Sequence, residues 1–363
     1  MILESVEVRN VRNIQHESFR LQPSLNLVLG PNGAGKTTFL ECIYLLIRGR
    51  SFRPGLLNSL MSFDAEDMLV TAASRTNNRS FRFGISKARN DNIRMRLNGA
   101  DIRQISQIAA LVPTQTFLPD LSELVFGPPR VRRSWLNWSV FHSNNRFMDV
   151  HRSLLRLLQQ RNKAIQKRST DFNVWTEQFV KKAIEVTAIR ETHLQGLNVF
   201  FQKTMALLAP ELNLTLHYEC GWSENSLLEA LQRDKVREQK IGHTRLGPHR
   251  ADIRLQVNDA NGEVLGPALR ILSRGQGNTV ACALKLAQLE HLRERGVQCV
   301  VLLDDATAEM DENYTRRFFK LIIPTGSQII ATGTKNAERI QANLPSSVTP
   351  NVIQLEEGKI VAV

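Results

Sequence analysis

The sequence predicts an α/β protein: a β-rich lobe assembled from both ends of the chain, with a mostly helical, basic lobe inserted between them. Three observations carry this reading. A short apolar run, Leu25-Asn26-Leu27-Val28-Leu29, enters a glycine-rich loop, and a helical pattern follows. A second apolar run, Cys299 to Leu303, ends in two aspartates. Between them, beyond prolines at 113–129, apolar residues recur at helical spacing for roughly a hundred residues.

The chain has 363 residues, 42% hydrophobic and 23% charged, which are ordinary values for a globular protein with a full core. That length suggests two to three lobes. There is no internal repeat and no low-complexity tract. No apolar run reaches the roughly 18 residues of a transmembrane helix. Met1-Ile2-Leu3-Glu4-Ser5 has no basic leader, so the expected location is cytoplasmic. The cysteines (Cys42, Cys220, Cys282, Cys299) form no CxxC, which argues against a disulfide framework or a cysteine zinc site. Lys plus Arg total 47 against 35 Asp plus Glu, a net charge of +12. Such a balance favours a polyanionic partner, nucleic acid or an anionic membrane surface. From Pro128 to Arg190 there are 13 Lys/Arg and 4 Asp/Glu, so this segment carries +9 of that charge.

The elements follow in order. Leu25–Leu29 is a strand, and Thr37 to Ile47 is a helix with Phe39, Leu40, Ile43, Leu45 and Leu46 apolar. Residues 80–97 alternate, with Phe81, Phe83 and Ile85 on one side of Arg89-Asn90-Asp91-Asn92 and Ile93, Met95 and Leu97 on the other. That is a hairpin pattern. Leu154, Leu155, Leu157, Leu158, Ala164, Val174, Phe179 and Ile184 mark the helical lobe, which Pro210 interrupts. Strands return at 212–217 and 253–257, the latter followed by a turn at 258–262. A helix follows Ser273, with Cys282, Leu286 and Leu289 on one face, and Gln328 to Thr332 is a further strand. The expected division is residues 1–115 with 240–363 for the first lobe and 116–239 for the insert.

Gly30-Pro31-Asn32-Gly33-Ala34-Gly35-Lys36-Thr37 fits G-x-x-x-x-G-K-[ST] between a strand and a helix, the context that defines a phosphate-binding P-loop. Glycines let backbone N–H groups converge on phosphate oxygens, and the helix N-terminus adds favourable partial charge. Lys36 is expected to reach the β- and γ-phosphates of ATP, Thr37 to hold Mg²⁺, and Thr38 to complete the loop. Val300-Val301-Leu302-Leu303-Asp304-Asp305 supplies carboxylates at a strand end. Asp304 fits the Mg²⁺ shell, and Asp305 fits a general base or a group that orients the attacking water.

Leu272-Ser273-Arg274-Gly275-Gln276 resembles the LSGGQ signature of ABC-type ATPases, with Ser273 a helix N-cap candidate and Gly275 leaving backbone open to a phosphate. In that superfamily the signature reaches nucleotide held by the opposite subunit, which makes Ser273, Gly275 and Gln276 expected cofactor contacts in trans. Ala308-Glu309-Met310-Asp311 stands where a D-loop would be. Gln115, in a segment bounded by Pro113, stands where a Q-loop glutamine would serve metal and catalysis.

Longer stretches resemble the RecF family of bacterial replication and repair proteins, relatives of SMC-type ATPases. They are Asn26 to Thr37, Leu40-Glu41-Cys42-Ile43-Tyr44, Gly49-Arg50-Ser51-Phe52-Arg53, Gly127-Pro128-Pro129 with Arg132-Arg133, Leu158-Gln159-Gln160-Arg161-Asn162, Thr244 to Asp252, and Leu302-Leu303-Asp304-Asp305. The resemblance implies an ABC-type ATPase head: a P-loop NTPase lobe with a β-rich subdomain, plus an inserted α-helical lobe. It implies ATP-dependent homodimerisation, slow DNA-stimulated hydrolysis, binding to double-stranded and gapped DNA, recombinational repair and the SOS response. RecO and RecR are the implied partners, acting with this protein to load RecA on single strands coated by SSB. Three places differ from the family or from ABC transporters, the aspartate at 305 being shared with RecF-like sequences. Gly277-Asn278 replace a lysine often found after the signature, Asp305 is shorter than the glutamate of transporters, and Thr332-Gly333-Thr334 occupies the region of their switch histidine.

DNA contact is expected from the basic insert: Arg130, Arg132, Arg133, Arg152, Arg156, Arg161 and Lys163, with Arg146, Lys167 and Arg168 nearby. Arg152 and Arg156 share a helix face. The hairpin residues Arg79, Arg82, Arg94 and Arg96 are a second candidate surface. Trp135, Trp138 and Trp175 fit core better than base stacking. His249 and Arg250 fit either nucleotide sensing or packing. A transporter motor subunit and a DNA clamp with negligible hydrolysis are the alternatives. The +9 segment from Pro128 to Arg190 and the missing switch histidine argue against the transporter. A long coiled-coil arm is excluded by the absence of sustained heptads between Lys36 and Ser273.

Overall fold

The computed structural model describes residues 1–53, 55, 57–76, 79–119, 121–223, 225–305, 312–334, 340, 342–346 and 348–361. The chain opens with a hairpin, β1 (Ile2–Val11) and β2 (Ile14–Arg20), then β3 (Leu25–Leu29) and α1 (Lys36–Arg48). Next come β4 (Asp67–Thr76), β5 (Arg79–Ala88), β6 (Arg94–Leu97), β7 (Ala100–Ile102), α2 (Ser106–Leu111) and β8 (Thr114–Phe117). The middle holds α3 (Glu123–Phe126), α4 (Pro129–Ser143), α5 (Phe147–Lys167), α6 (Phe172–Leu208), β9 (Asn213–Glu219), α7 (Leu227–Ile241), β10 (Asp252–Asn258), β11 (Val264–Pro267), α8 (Ala268–Ile271) and α9 (Arg274–Arg293). The chain ends with β12 (Val300–Leu303), α10 (Glu312–Ile322), β13 (Gln328–Gly333), β14 (Asn351–Glu356) and β15 (Lys359–Val361).

Two compact units result: residues 1–119 with 296–363, and residues 120–295. This division differs from the one the sequence suggested. β10, β11 and α9 belong to the middle unit because their partners are there. β10 pairs β9 along Asp252–Asn258. Gln288 Nε2 of α9 donates to Trp135 O on α4 at 2.9 Å.

Among its described residues the first unit holds two six-stranded sheets. One is antiparallel, in order β2-β1-β4-β5-β6-β7. Its β5–β6 pair sets Phe83 opposite Leu97 and Ile85 opposite Met95, as the alternation of 80–97 predicts. The other has order β15-β14-β3-β13-β12-β8, parallel from β14 to β8. Every residue of β3, β12 and β13 is buried, as expected for strands covered on both faces, and this explains their near-continuous apolar runs. α1 packs into the core shared by the sheets, with Phe39 stacked on Phe19 at 3.8 Å and Ile43 fully buried. Open parallel sheets of this kind bind ligands at the carboxyl ends of their strands. Here β3 and β12 end on either side of β13, with Leu27 and Leu303 both in register with Ala331.

The middle unit is built on α6, a helix of 37 residues. Trp135 and Trp138 are buried in its core, as expected, and Trp175 is half-buried. Helix α7 was not anticipated from the sequence. Its composition is polar, and its signal is the Ser226-x-x-Glu229 start, where Ser226 Oγ accepts from Glu229 N. Among the described residues no helix is long and apolar enough to cross a membrane.

Candidate functional site

The P-loop leaves β3 at Gly30 and enters α1 at Lys36. Gly33 and Gly35 take φ of 82° and 104°, left-handed conformations that side chains rarely adopt. A Cβ on Gly30 would collide with the Leu355 carbonyl of β14, so glycine is also required there by close approach. Lys36 is 6% exposed, and its Nζ donates to the carbonyls of Gly30 and Pro31, each at 2.9 Å. The ammonium therefore lies over the loop that would cradle phosphate. Pro31 and Asn32 are exposed at the loop crest, while Ala34 and Thr38 are buried beneath it.

Asp304 sits at the end of β12, and its Oδ1 accepts from two hydroxyls, Thr37 Oγ1 at 3.0 Å and Thr332 Oγ1 at 2.7 Å. Asp305 follows with φ of 40°, and its N–H donates to Thr332 Oγ1 at 3.1 Å. Burial, and then the neighbouring Asp304 carboxylate, raise the Asp305 carboxyl above its ordinary pKa, with Lys36 opposing. The arrangement joins a buried cation, a hydroxyl–carboxylate pair and a second carboxylate whose pKa is raised.

Two contributors, Asn13 and Gly358, had no sequence signal. Asn13, in the β1–β2 turn, donates from Nδ2 to Gly33 O at 2.9 Å and packs beside Gly35. Gly358 N donates to Ala34 O at 2.9 Å. Thr332 was visible as the residue in the switch region, but its bond to Asp304 depends on β13 lying beside β12. Glu41, within a RecF-like stretch, is buried against Arg12 Nη2 at 3.0 Å and bonds Ser51, which ties the Gly49–Arg53 loop to α1.

Gln115 is corrected. The parallel register sets it beside Val301, three residues before Asp304, in the middle of β8. It is 6% exposed there, inside a strand and not in a loop. The residue that meets Asp304 on this strand is Phe117, whose carbonyl accepts from Asp304 N at 3.0 Å. The 308–311 stretch lies outside the described residues.

In the middle unit, Ser273 caps α9 as expected. Its Oγ accepts from Gln276 N at 3.3 Å, and Gln276 Oε1 accepts from Ser273 N at 2.9 Å, a reciprocal capping box. Ser273 to Gln276 are exposed, and a Cβ on Gly275 would meet nothing within 4 Å, so packing inside the chain does not demand glycine there. Gly277 differs: a Cβ there would strike the Phe126 ring of α3. Packing of α3 on α9 thus explains the glycine at position 277.

The basic residues divide by direction. Arg132 and Arg161 are corrected, since neither presents its charge to solvent. Arg132 makes a two-toothed bond to Asp252 at 2.8 and 2.9 Å and donates to Val125 O and Gly127 O. Arg161 is 0% exposed and bonds Glu238 Oε2 at 2.7 Å, Thr244 Oγ1 at 2.6 Å and Thr176 Oγ1 at 3.1 Å. Arg133 is half-buried against Ala251 O, and Arg152 is half-buried near Asp149 at 3.9 Å. Arg130, Arg156 and Lys163 are exposed. On the outer face of the antiparallel sheet, Arg82, Arg94 and Arg96 line a groove of about 510 Å³ with Ser5, Thr71 and Gly84. Arg94 and Arg96 also pair with Asp91 and Asp101.

A P-loop below a parallel sheet, an acidic strand end two strands away and a capped signature helix define an ABC-type ATPase head. The chain belongs to the RecF/RecN/SMC N-terminal domain family, whose model matches residues 2–354. It is 32% identical over 364 residues to the DNA replication and repair protein RecF of Histophilus somni (strain 2336), covering 99% of each chain. It is 34% identical over 367 residues to RecF of Pseudomonas aeruginosa (strain LESB58), covering 99% of this chain and 97% of that one. Its fold is similar to that of the recombination mediator protein RecF-ATP in the RecFOR pathway, with TM-score 0.82, 24% identity and coverage of 99% and 96%. The Smc head bound to the C-terminal winged-helix domain of ScpA is a more distant likeness, with TM-score 0.63 and 14% identity over 100% and 98% of the two chains.

Proposed function

We propose that the chain is an ATP-dependent DNA-binding protein of recombinational repair and replication restart, working in the cytoplasm. The observation that carries this is the convergence of Lys36, Thr37, Asp304 and Asp305 at the carboxyl ends of β3 and β12. Relatives named for DNA replication and repair support the biological setting. Lys36 leaves the Gly30 and Pro31 carbonyls and neutralises the β- and γ-phosphates of ATP. Thr37 Oγ1 and the Asp304 carboxylate are hard oxygen donors and suit Mg²⁺, which supplies charge neutralisation at the phosphates when bound. Thr332 holds the Asp304 carboxylate in place. Asp305, whose carboxyl is already raised, accepts a proton from the attacking water or orients it.

On this reading Ser273, Gly275 and Gln276 complete the site of a second copy, so that ATP closes a homodimer around double-stranded or gapped DNA. Hydrolysis is slow and DNA-stimulated, because Asp305 is one methylene shorter than a glutamate and Thr332 is no base. RecO and RecR are the partners in loading RecA at gaps, and the SOS response follows. A clamp that binds ATP with negligible hydrolysis is the second reading, favoured by the same Thr332 bonding.

The test is fluorescence anisotropy of a gapped duplex with and without Mg-ATP across a salt series, repeated with Lys36→Ala. Tight, salt-sensitive binding only with ATP, lost in the variant together with ATP-driven dimerisation, is the expected result. Binding indifferent to ATP, or a variant that dimerises normally, would refute it.

A further inference from the structure

The segment between α7 and β10 closes on Gly247-Pro248-His249-Arg250-Ala251, and arginines from two helices hold it from either side. Arg190 on α6 donates from Nη1 to Pro248 O at 2.8 Å and from Nε to Asn137 Oδ1 at 2.9 Å. Arg133 on α4 donates from Nη1 to Ala251 O at 2.7 Å. Arg250 is exposed between those two anchored carbonyls. Gly247, with φ of 132°, packs against Phe179, which fixes the approach of the loop to α6.

The positive charge here is not balanced. Among the described residues, Asp252 is the one carboxylate that faces Arg133, against Arg190, Arg250 and Arg132. Arg132 already engages both Asp252 oxygens. Arg190 is 2% exposed, and its two acceptors are neutral. Arg161, by contrast, has Glu238 as its counter-charge. A buried cation without such a partner is costly unless an anion completes it. The titratable neighbours report the same positive field. Burial, and then Arg190, hold His151 down at about 4. Burial, opposed by a bond to Thr244 O and assisted by Arg250, Arg133 and Arg161, holds His249 at about 4. Both imidazoles are therefore neutral at pH 7, and the charge of the cluster is that of the guanidiniums.

We propose that Arg133, Arg190 and Arg250 form a binding site for a phosphoryl anion at the 247–251 loop. A guanidinium carries five N–H donors in a planar fork that matches two phosphate oxygens. Arg133 uses one donor on Ala251 O, and the exposed Arg250 guanidinium has no hydrogen bond among the described residues, so both present donors to a ligand. Arg190 contributes charge from behind and positions the loop through Pro248. The anion is a DNA phosphodiester or a free phosphate. Only the DNA source rests on the proposed function above. The site itself rests on the unbalanced arginines.

Melting temperature in a titration of inorganic phosphate, at constant ionic strength set with chloride, tests the site. The full chain carries Lys36→Ala, which weakens the P-loop as a competing phosphate site. Phosphate should raise the melting temperature, Arg250→Ala added to Lys36→Ala should abolish the rise, and Arg250→Lys should retain part of it. The Arg250 side chain is exposed, so the alanine variant keeps the fold. No rise in the Lys36→Ala chain, or an equal rise with and without Arg250, overturns the proposal.

Duplex anisotropy separates the two sources once the rise is established. Arg250→Ala in the otherwise natural chain should weaken a duplex by about tenfold and flatten the log–log salt slope by about 0.9 if the anion is a DNA phosphate. An unchanged duplex curve beside a lost phosphate response assigns the site to free phosphate. A natural chain that binds no duplex defeats the DNA reading, while the phosphate titration still judges the site.

Discussion

The P-loop and the basic insert both offer positive charge to phosphate, yet they are built in opposite ways. In the P-loop the backbone does most of the work. Gly33 and Gly35 set left-handed turns, Lys36 folds over two carbonyls of its own loop, and every part lies within eight residues. In the insert the charge rides on long side chains whose direction depends on partners far along the chain. Arg161 turns inward to Glu238, 77 residues away, and Arg132 turns to Asp252, 120 residues away. Side chains of the same charge two positions apart on α5 thus end as a buried strut and a solvated cation, as Arg161 and Lys163 do. A local motif carries its own geometry, whereas a charged stretch carries only its sign.

The sharpest way to break this comparison is Arg161→Ala. It strands the Glu238 carboxylate, which is 0% exposed, in the core of the helical unit. A loss of about 3–5 kcal/mol in unfolding free energy is expected, read by denaturant melts. Duplex affinity per folded molecule should hardly change. A stable variant with weakened DNA binding would instead place Arg161 on the DNA side of the comparison.

Lys36→Ala probes the other half. Removing the ammonium from beneath the phosphates should weaken ATP binding by about 2–5 kcal/mol, measured by calorimetry, with a fold that melts nearly as before. Asp305→Asn separates chemistry from stability. The folded carboxyl is raised, so the native state disfavours the charged form and loses stability as pH climbs through that raised pKa. The amide variant should therefore lose hydrolysis yet melt slightly higher at pH 7. That difference should fade at pH values below the ordinary carboxylate range, where both natural states are protonated. A variant that melts lower at pH 7 would contradict the raised pKa.

The smallest effect belongs to Lys163→Ala, an exposed side chain. Stability should stay within about 0.5 kcal/mol, while the salt slope for duplex flattens by about 0.9 if the residue meets a phosphate. An unchanged slope would make Lys163 an ordinary solvated cation.

The sequence by itself determined the site whose parts are local. Strand β3, the loop from Gly30 to Thr37, the opening of α1, the apolar β12 with Asp304 at its end and the Ser273 cap were all legible, because periodicity and backbone propensity act over a few residues. Tertiary structure alone decided which groups meet. It set Thr332 on Asp304 by laying β13 beside β12, brought Asn13 to Gly33 and set Gln115 beside Val301, three residues before Asp304. It also moved α9 into the helical unit, buried Arg132 and Arg161, and gathered Arg133, Arg190 and Arg250 around one loop. The physical reason is the reach of the interaction. Strand register and buried ion pairs join residues that chain order keeps far apart, and a pattern read along one dimension holds no record of those pairings.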